Sequence, residues 1–240
     1  MKNLFINNEI KIICELHPQF YGSMDTLKRM VLQSKIGGAS YVKLQLYDTL
    51  KIHGNNDRSY IEITEKEFYE INEYCKGIGI ELTASVFNEE RIDWCEKIDM
   101  KMYKVASRSV DDSKLCEKII STNKPVIISL GMYDWKKNNV PYSSKNVNYL
   151  YCVSEYPTML EKIEMPDFKN SFFQGYSDHT LGINACLYAA SKGARLIEKH
   201  FSLNKSLQNS TQKAHVCSMD MNELSILKAY CESIQLLESK

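Results

Sequence analysis

The sequence predicts a closed parallel (β/α)8 TIM barrel, an α/β fold, and three observations carry the prediction. Short apolar runs alternate with amphipathic stretches in a repeated order of strand, polar turn, helix, glycine and strand. Eight such strand-and-helix units fit within 240 residues, about what this barrel needs. No G-x-G-x-x-G turn follows the first apolar run, which disfavours the runner-up, an open doubly wound sheet.

The first strand is read over 10–15. Ser23 then caps a helix whose inner face holds Leu27, Met30, Val31 and Ile36, and Gly37-Gly38 stops it. The second strand covers 41–46. Thr64-x-x-Glu67 is a capping box, and Phe68, Ile71, Cys75 and Ile78 form one stripe behind it. Strands follow at 80–85, 102–106, 125–129, 149–153, 172–177 and 195–200, with helices at 89–98, 113–122 and 183–191. Asp220-x-x-Glu223 opens a last helix with Leu224, Leu227, Cys231 and Ile234 inward. Residues 132–146 are rich in Asn, Ser and Lys and contain Pro141, so the fifth helix is expected to be short or missing. The first nine residues are expected to form a small hairpin at the barrel bottom, and residues 1–240 a single domain.

Composition narrows the function classes. Hydrophobic residues make up 44% and charged residues 25%, ordinary globular values with room for a sizeable core. Formal net charge is zero, so nucleic acid and anionic membranes are not expected partners. No apolar run reaches membrane-spanning length and the start lacks a signal-peptide pattern, giving a cytoplasmic expectation. Eight cysteines without a C-x-x-C pair read as reduced core thiols. The loop from His53 to Asp57 reads as exposed, with a lid over a pocket as the sharper alternative.

Polar residues collect where the apolar runs end. Those ends give Glu15 and His17, Lys43 and Gln45, Ser85, Lys104 and Ser107, Ser129, Ser154 and Tyr156, Ser177 to His179, and Glu198 to His200. In a barrel these ends form one mouth. Two lysines among hydroxyls suit a phosphate or carboxylate ligand, because an ammonium inside an apolar strand needs an anion. Histidines ending the seventh and eighth strands would point into one pocket and could share a metal. The blander reading is two strand-capping histidines and two solvated lysines.

Several of these stretches together resemble the sialic acid synthase family over most of the chain. They are Tyr103-Lys104-Val105-Ala106-Ser107, Val126 to Met132, Cys152-Val153-Ser154-Glu155-Tyr156-Pro157, Gly175 to Thr180, and Gly193-Ala194 with Ile197 to Phe201. The resemblance implies condensation of phosphoenolpyruvate with an amino sugar or other aldose, releasing phosphate, in glycan or surface-polysaccharide biosynthesis. It implies His179 and His200 as ligands of a divalent metal, manganese by family habit, with magnesium or cobalt as alternatives. Lys43, Lys104, Ser107, Ser129 and Ser177 would contact phosphoenolpyruvate, with Ser85 and Ser154 at positions often held by other hydrogen-bonding residues. Glu15 becomes the candidate general base, Glu198 a polar neighbour of the metal, and Tyr156 part of the sugar wall.

The chain departs from the family pattern in four places. Gln19 and Phe20, after an unusual His17-Pro18, stand where the family has Asn and His. Thr211 and Gln212 replace an acid and a histidine, with His215 nearby, read as a surface residue. Leu130 replaces a common threonine beside the eroded fifth helix. A C-terminal antifreeze-like domain, which brings an arginine to a partner's site, is expected to be lacking, so a homodimer or a separate chain could complete the site. A metal-dependent pyruvate aldolase or lyase and a non-catalytic sugar-binding relative are the competing functions. The lyase needs the histidines but not the lysines.

Overall fold

A computed structural model describes residues 9–207 and 214–239. Eight strands close into a parallel barrel in chain order, each paired with its neighbours in sequence and β8 with β1. They are β1 (Lys11–Glu15), β2 (Tyr41–Leu46), β3 (Glu81–Val86), β4 (Tyr103–Val105), β5 (Val126–Ser129), β6 (Val147–Cys152), β7 (Phe173–Asp178) and β8 (Leu196–His200). The helices are α1 (Met24–Ile36), α2 (Thr49–His53), α3 (Glu65–Ile78), α4 (Glu89–Lys97), α5 (Ser113–Ile120), α6 (Asn184–Ser191) and α7 (Met221–Glu238).

Local chemistry explains the boundaries. Ser23 accepts the Thr26 N–H at the start of α1, and reciprocal capping boxes open α3 (Thr64 with Glu67) and α7 (Asp220 with Glu223). Gly79 ends α3 at φ 73°, a left-handed position that favours glycine. On β7, a Cβ on Gly175 would fall 2.0 Å from the Leu196 carbonyl oxygen, so only glycine lets β7 and β8 approach there.

The two-residue strand period sorts the side chains. Outward residues, among them Ile12, Val42 and Ile128, pack under the helices in the larger core. Ile13, Met102, Ile127, Leu150 and Leu196 form a separate apolar cluster inside the barrel. One step further along the same inward faces come Glu15, Lys104, Ser129, Cys152 and Glu198. An apolar floor therefore lies directly beneath a polar layer.

The expected gap after β5 is present: residues 130–146 contain no helix. The crossover after β6 also departs from eight complete units, since it holds only a 3-10 turn, Leu160–Lys162. Pro157 and Pro166 interrupt that stretch as Pro141 interrupts the other. An aromatic pad covers the barrel there instead. Trp135 sits edge-on to Phe173 at 5.1 Å and to Phe172 at 5.9 Å, and Tyr151 stacks on Tyr176 at 5.9 Å.

After β2, the segment read as a long loop is more ordered than expected. His53 closes the short helix α2, Gly54 caps it at φ 71°, and a 3-10 turn follows at Ser59–Ile61. The N-terminal hairpin lies almost wholly outside the described residues. All eight cysteines are buried and unpaired. Among the described residues no helix is long and apolar enough to cross a membrane.

Candidate active site

A cavity of about 380 Å³ opens at the carboxyl end of the barrel. Glu15, Lys43, Ser85, Lys104, Ser107, Ser129, Ser154, Tyr156, Ser177, His179, Glu198 and His200 all line it. Every site residue expected from the sequence is thus brought to one place.

At its floor, strand register sets charge against charge. Glu15 is level with Lys43 on β2 and with His200 on β8, and Ser85 is level with Lys104. Glu15, Lys43, Lys104 and Glu198 are each no more than 6% exposed. Burying four such groups is tolerable only if they neutralise one another. Lys43 donates to Glu15 and lies 3.1 Å from Glu198, which also faces Lys104 at 3.6 Å. Lys43 further donates to Ser85 Oγ at 3.1 Å. The reading of these lysines as solvated surface charges is overturned.

This environment pushes the two carboxylates apart. Burial raises Glu198, but the Lys104 and Lys43 ammoniums outweigh it and hold the carboxyl at about 2. For Glu15 burial wins over Lys43, and its carboxyl lies above the ordinary range. Glu198 is therefore a permanent counter-ion, and Glu15 a carboxylate poised to exchange a proton. His17 orients Glu15, its backbone N–H donating to Oε1 at 2.8 Å, while Gln45 donates to Oε2 at 3.2 Å. The His17 ring is buried against the Tyr47 hydroxyl at 2.8 Å, and burial together with Lys43 pushes it down to about 3.

The hydroxyls differ in what they already do. Ser107 Oγ accepts the Gly131 N–H at 3.1 Å, and Ser154 lies beside the Cys152 thiol. Ser129 Oγ and Glu198 Oε2 are buried without a hydrogen-bond partner among the described residues. A buried hydroxyl without a partner is costly, and a ligand that reaches it removes that cost.

The two histidines present a matched pair. His179 Nδ1 donates to the Val153 carbonyl at 2.8 Å, and His200 Nδ1 donates to Gln19 Oε1 at 3.1 Å. Each ring therefore keeps its proton on Nδ1, leaving Nε2 as the lone-pair nitrogen. The ring centroids are 5.8 Å apart. Burial and the neighbouring His179 hold His200 well below the usual imidazole range, so it is neutral as a ligand must be. Among the described residues no group of three or more His, Cys, Asp or Glu is arranged to hold a metal. Burial lowers His179, but the Cys152 thiol and the Val153 carbonyl outweigh it and raise the ring above the ordinary imidazole value. With each Nδ1 engaged by its hydrogen bond, the two Nε2 atoms fit a divalent ion that would take its other positions from water or substrate, the open arrangement of a catalytic centre. Behind the pair, on the opposite strand faces, Lys199 and Asp178 form a fully buried ion pair at 2.5 Å. Asp178 also accepts from the Tyr176 hydroxyl and the Thr180 N–H, tying β7 to β8.

Tyr156 stands at the mouth, its ring 4.1 Å from His179 and 5.8 Å from His200. His53, Arg58 and Arg108 complete that rim, and Cys152 lies deeper in the wall. None of these four was identified as a site residue from sequence. Cys152 had a signal, two positions beyond the inward Leu150. Arg108 follows Ser107 directly. Arg58 sits in an irregular segment that carries no period. His215, read as a surface residue, is instead fully buried, paired with Ser202 Oγ at 2.9 Å and stacked on Tyr21. Thr211 and Gln212 lie outside the described residues.

The chain is similar to known proteins over most of its length. The model of the NeuB family matches residues 30–239. A protein of Methanocaldococcus jannaschii is 34% identical over 243 residues, which span 95% of this chain and 70% of the archaeal one. The N,N'-diacetyllegionaminic acid synthase of Legionella pneumophila is 30% identical over 247 residues, covering 89% of this chain and 68% of that enzyme. The crystal structure of an N-acetylneuraminic acid synthetase from Leptospira borgpetersenii superposes with a TM-score of 0.85. Its sequence is 26% identical, and the match covers 98% of this chain and 86% of that one.

Proposed function

The chain belongs to the NeuB family, and from that premise we propose that it is a transferase condensing phosphoenolpyruvate with a sugar aldehyde, as in nonulosonic acid synthesis. One observation carries the reading. Two buried ammoniums, Lys43 and Lys104, share the carboxylate of Glu198 and face the same cavity as the His179–His200 pair. A pyruvate lyase has no phosphate for those lysines to meet. A purely sugar-binding protein has no use for a carboxylate tuned like Glu15.

Lys43 and Lys104 would donate charge-assisted hydrogen bonds to the phosphate and carboxylate of phosphoenolpyruvate. Ser85, Ser107, Ser129, Ser154 and Ser177 would donate directed hydrogen bonds to it, with the unpartnered Ser129 hydroxyl the most available. Held this way, the enol carbon faces the histidine side of the cavity, and Tyr156 walls the acceptor's aldehyde end. The Nε2 atoms of His179 and His200 would hold a divalent metal, manganese by family habit, which when bound supplies Lewis-acid polarisation of a carbonyl oxygen.

The enol carbon bonds to the aldehyde carbon, whose oxygen ends as a hydroxyl. Water adds at the carbon bearing the phosphate, the carbon–oxygen bond to phosphate breaks, and inorganic phosphate departs. Glu15 takes one proton of that water and passes it to the former aldehyde oxygen, and the other leaves with the phosphate as the new carbonyl forms. Its raised carboxyl makes it a stronger base once ionised than an ordinary glutamate. Glu198, held ionised, favours the charged form of both lysines and keeps them in place, although burial still lowers Lys104 while Lys43 is raised.

The test is phosphate release from phosphoenolpyruvate with manganese and a panel of aldoses and amino sugars, alongside calorimetric titration of phosphoenolpyruvate. Acceptor-dependent release supports the proposal. No release with any acceptor, together with no binding of phosphoenolpyruvate, overturns it.

A further inference from the structure

The cavity wall is net positive, and the part of its charge not neutralised by carboxylates lies at the mouth. Four basic side chains line it, Lys43, Arg58, Lys104 and Arg108, against two carboxylates, Glu15 and Glu198. The lysines own both carboxylates. Arg58, half-buried, and Arg108, exposed, have no carboxylate within ion-pair distance among the described residues. Arg91 nearby shows the contrast, since it is paired with Glu90 at 2.7 Å and Glu62 at 3.5 Å.

Arg58 and Arg108 come from different segments, one preceding the 3-10 turn at Ser59–Ile61 and the other within the turn after β4. They nevertheless converge on the rim beside His53, whose imidazole is pushed down first by burial and then by both guanidiniums. Arg58 also acts on the His17 ring and the Tyr47 hydroxyl at the cavity wall, so its charge is felt inward. Two guanidiniums facing one concavity repel each other, and an anion between them reverses that repulsion. Arginine's planar fork suits phosphate and carboxylate oxygens in particular.

We propose that Arg58 and Arg108 form an anion subsite at the cavity mouth, and that the acceptor is an aldose bearing a phosphate or carboxylate group remote from its aldehyde. The assignment rests on the reading of the floor as the phosphoenolpyruvate site. With phosphoenolpyruvate held at the floor by Lys43 and Lys104, the rim cations stand where the far end of a second substrate would lie. An aldose with its carbonyl at the histidines would carry its far end toward the rim.

The test is calorimetric binding of an N-acetylhexosamine, its 6-phosphate and a hexuronate to the wild-type protein, to Arg108→Met and to Arg58→Met/Arg108→Met. The expected result is that at least one charged sugar binds about tenfold or more tightly than the neutral one, as charge-assisted contacts allow. That preference should shrink in Arg108→Met and vanish in the double variant. Tight binding by the phosphate alone, or by the uronate alone, identifies which anion the subsite takes. Equal affinity for charged and neutral sugars in the wild type overturns the proposal, as does a preference that survives in Arg108→Met. Because position 108 is exposed, that variant keeps the test valid even if the double variant does not fold. Phosphoenolpyruvate titrated alone into the wild type examines the underlying reading separately, and its failure to bind would leave the sugar comparison intact.

Discussion

The floor and the mouth of the cavity are built on different principles. At the floor, side chains hang from hydrogen-bonded strands, and every charge has a neighbour fixed by register: Glu15 beside Lys43, Glu198 between Lys43 and Lys104. At the mouth, Tyr156, His53, Arg58 and Arg108 hang from crossovers, and the two arginines face the opening without a carboxylate among the described residues. The floor is preorganised and nearly self-neutral, whereas the mouth holds charge in reserve. Rigid placement suits the reactant common to the chemistry, and loop-borne placement suits the one that varies.

The largest effect is expected from breaking the floor. Glu198→Leu leaves Lys104 without its carboxylate, and stability should fall by about 3 kcal/mol, the order found for half-broken buried ion pairs. Urea unfolding at neutral pH reads it, and a loss below about 1 kcal/mol would mean that water enters the cluster more freely than its burial implies.

Next comes the layer behind the histidines. Gln19→Leu removes the acceptor that sets the His200 tautomer, and manganese affinity followed by electron paramagnetic resonance should drop about 10–100-fold. An unchanged affinity would remove Gln19 from the metal's support.

A smaller effect sharpens the assignment of Glu15. Its folded-state carboxyl lies above the usual value, so activity that needs the carboxylate is present above that raised value and lost as pH falls through it, above 4.5. Gln45→Leu removes a hydrogen bond to the ionised form and should move this acid limb of kcat/KM upward by about one pH unit. A limb that stays in place would assign the limiting base elsewhere.

The smallest effect belongs to the mouth. Tyr156→Ala should raise KM for the acceptor about three- to tenfold, the worth of an aromatic contact. A comparable rise in KM for phosphoenolpyruvate would show that mouth and floor are not separable.

The same division governs what the sequence could reveal. Lys43, Lys104, Glu198 and His200 sit at the ends of apolar runs, and a period of two places them on the inner face once the barrel is recognised. The barrel itself was legible because caps such as Thr64 with Glu67 and stops such as Gly79 punctuate each unit. Arg58 and Arg108 follow no period, and no local rule says that two irregular segments meet. His215 was misjudged because its burial depends on Ser202 and Tyr21, contacts made across the fold. The missing helix after β6 escaped for a related reason: Trp135, Phe172 and Phe173 are scattered in sequence and become a cover only when folded together.

Near-complete burial of Lys43 and Lys104 also bears on how ionic strength acts. Dissolved ions gather less readily around ammoniums at the bottom of a narrow cavity, whereas Arg108 at the surface lies within reach of a Debye atmosphere of about 8–10 Å at physiological salt. Added potassium chloride should therefore weaken whatever binds at the rim and leave attraction at the depth of the barrel almost untouched, so that a simple salt series separates the two substrates' electrostatics without a single substitution.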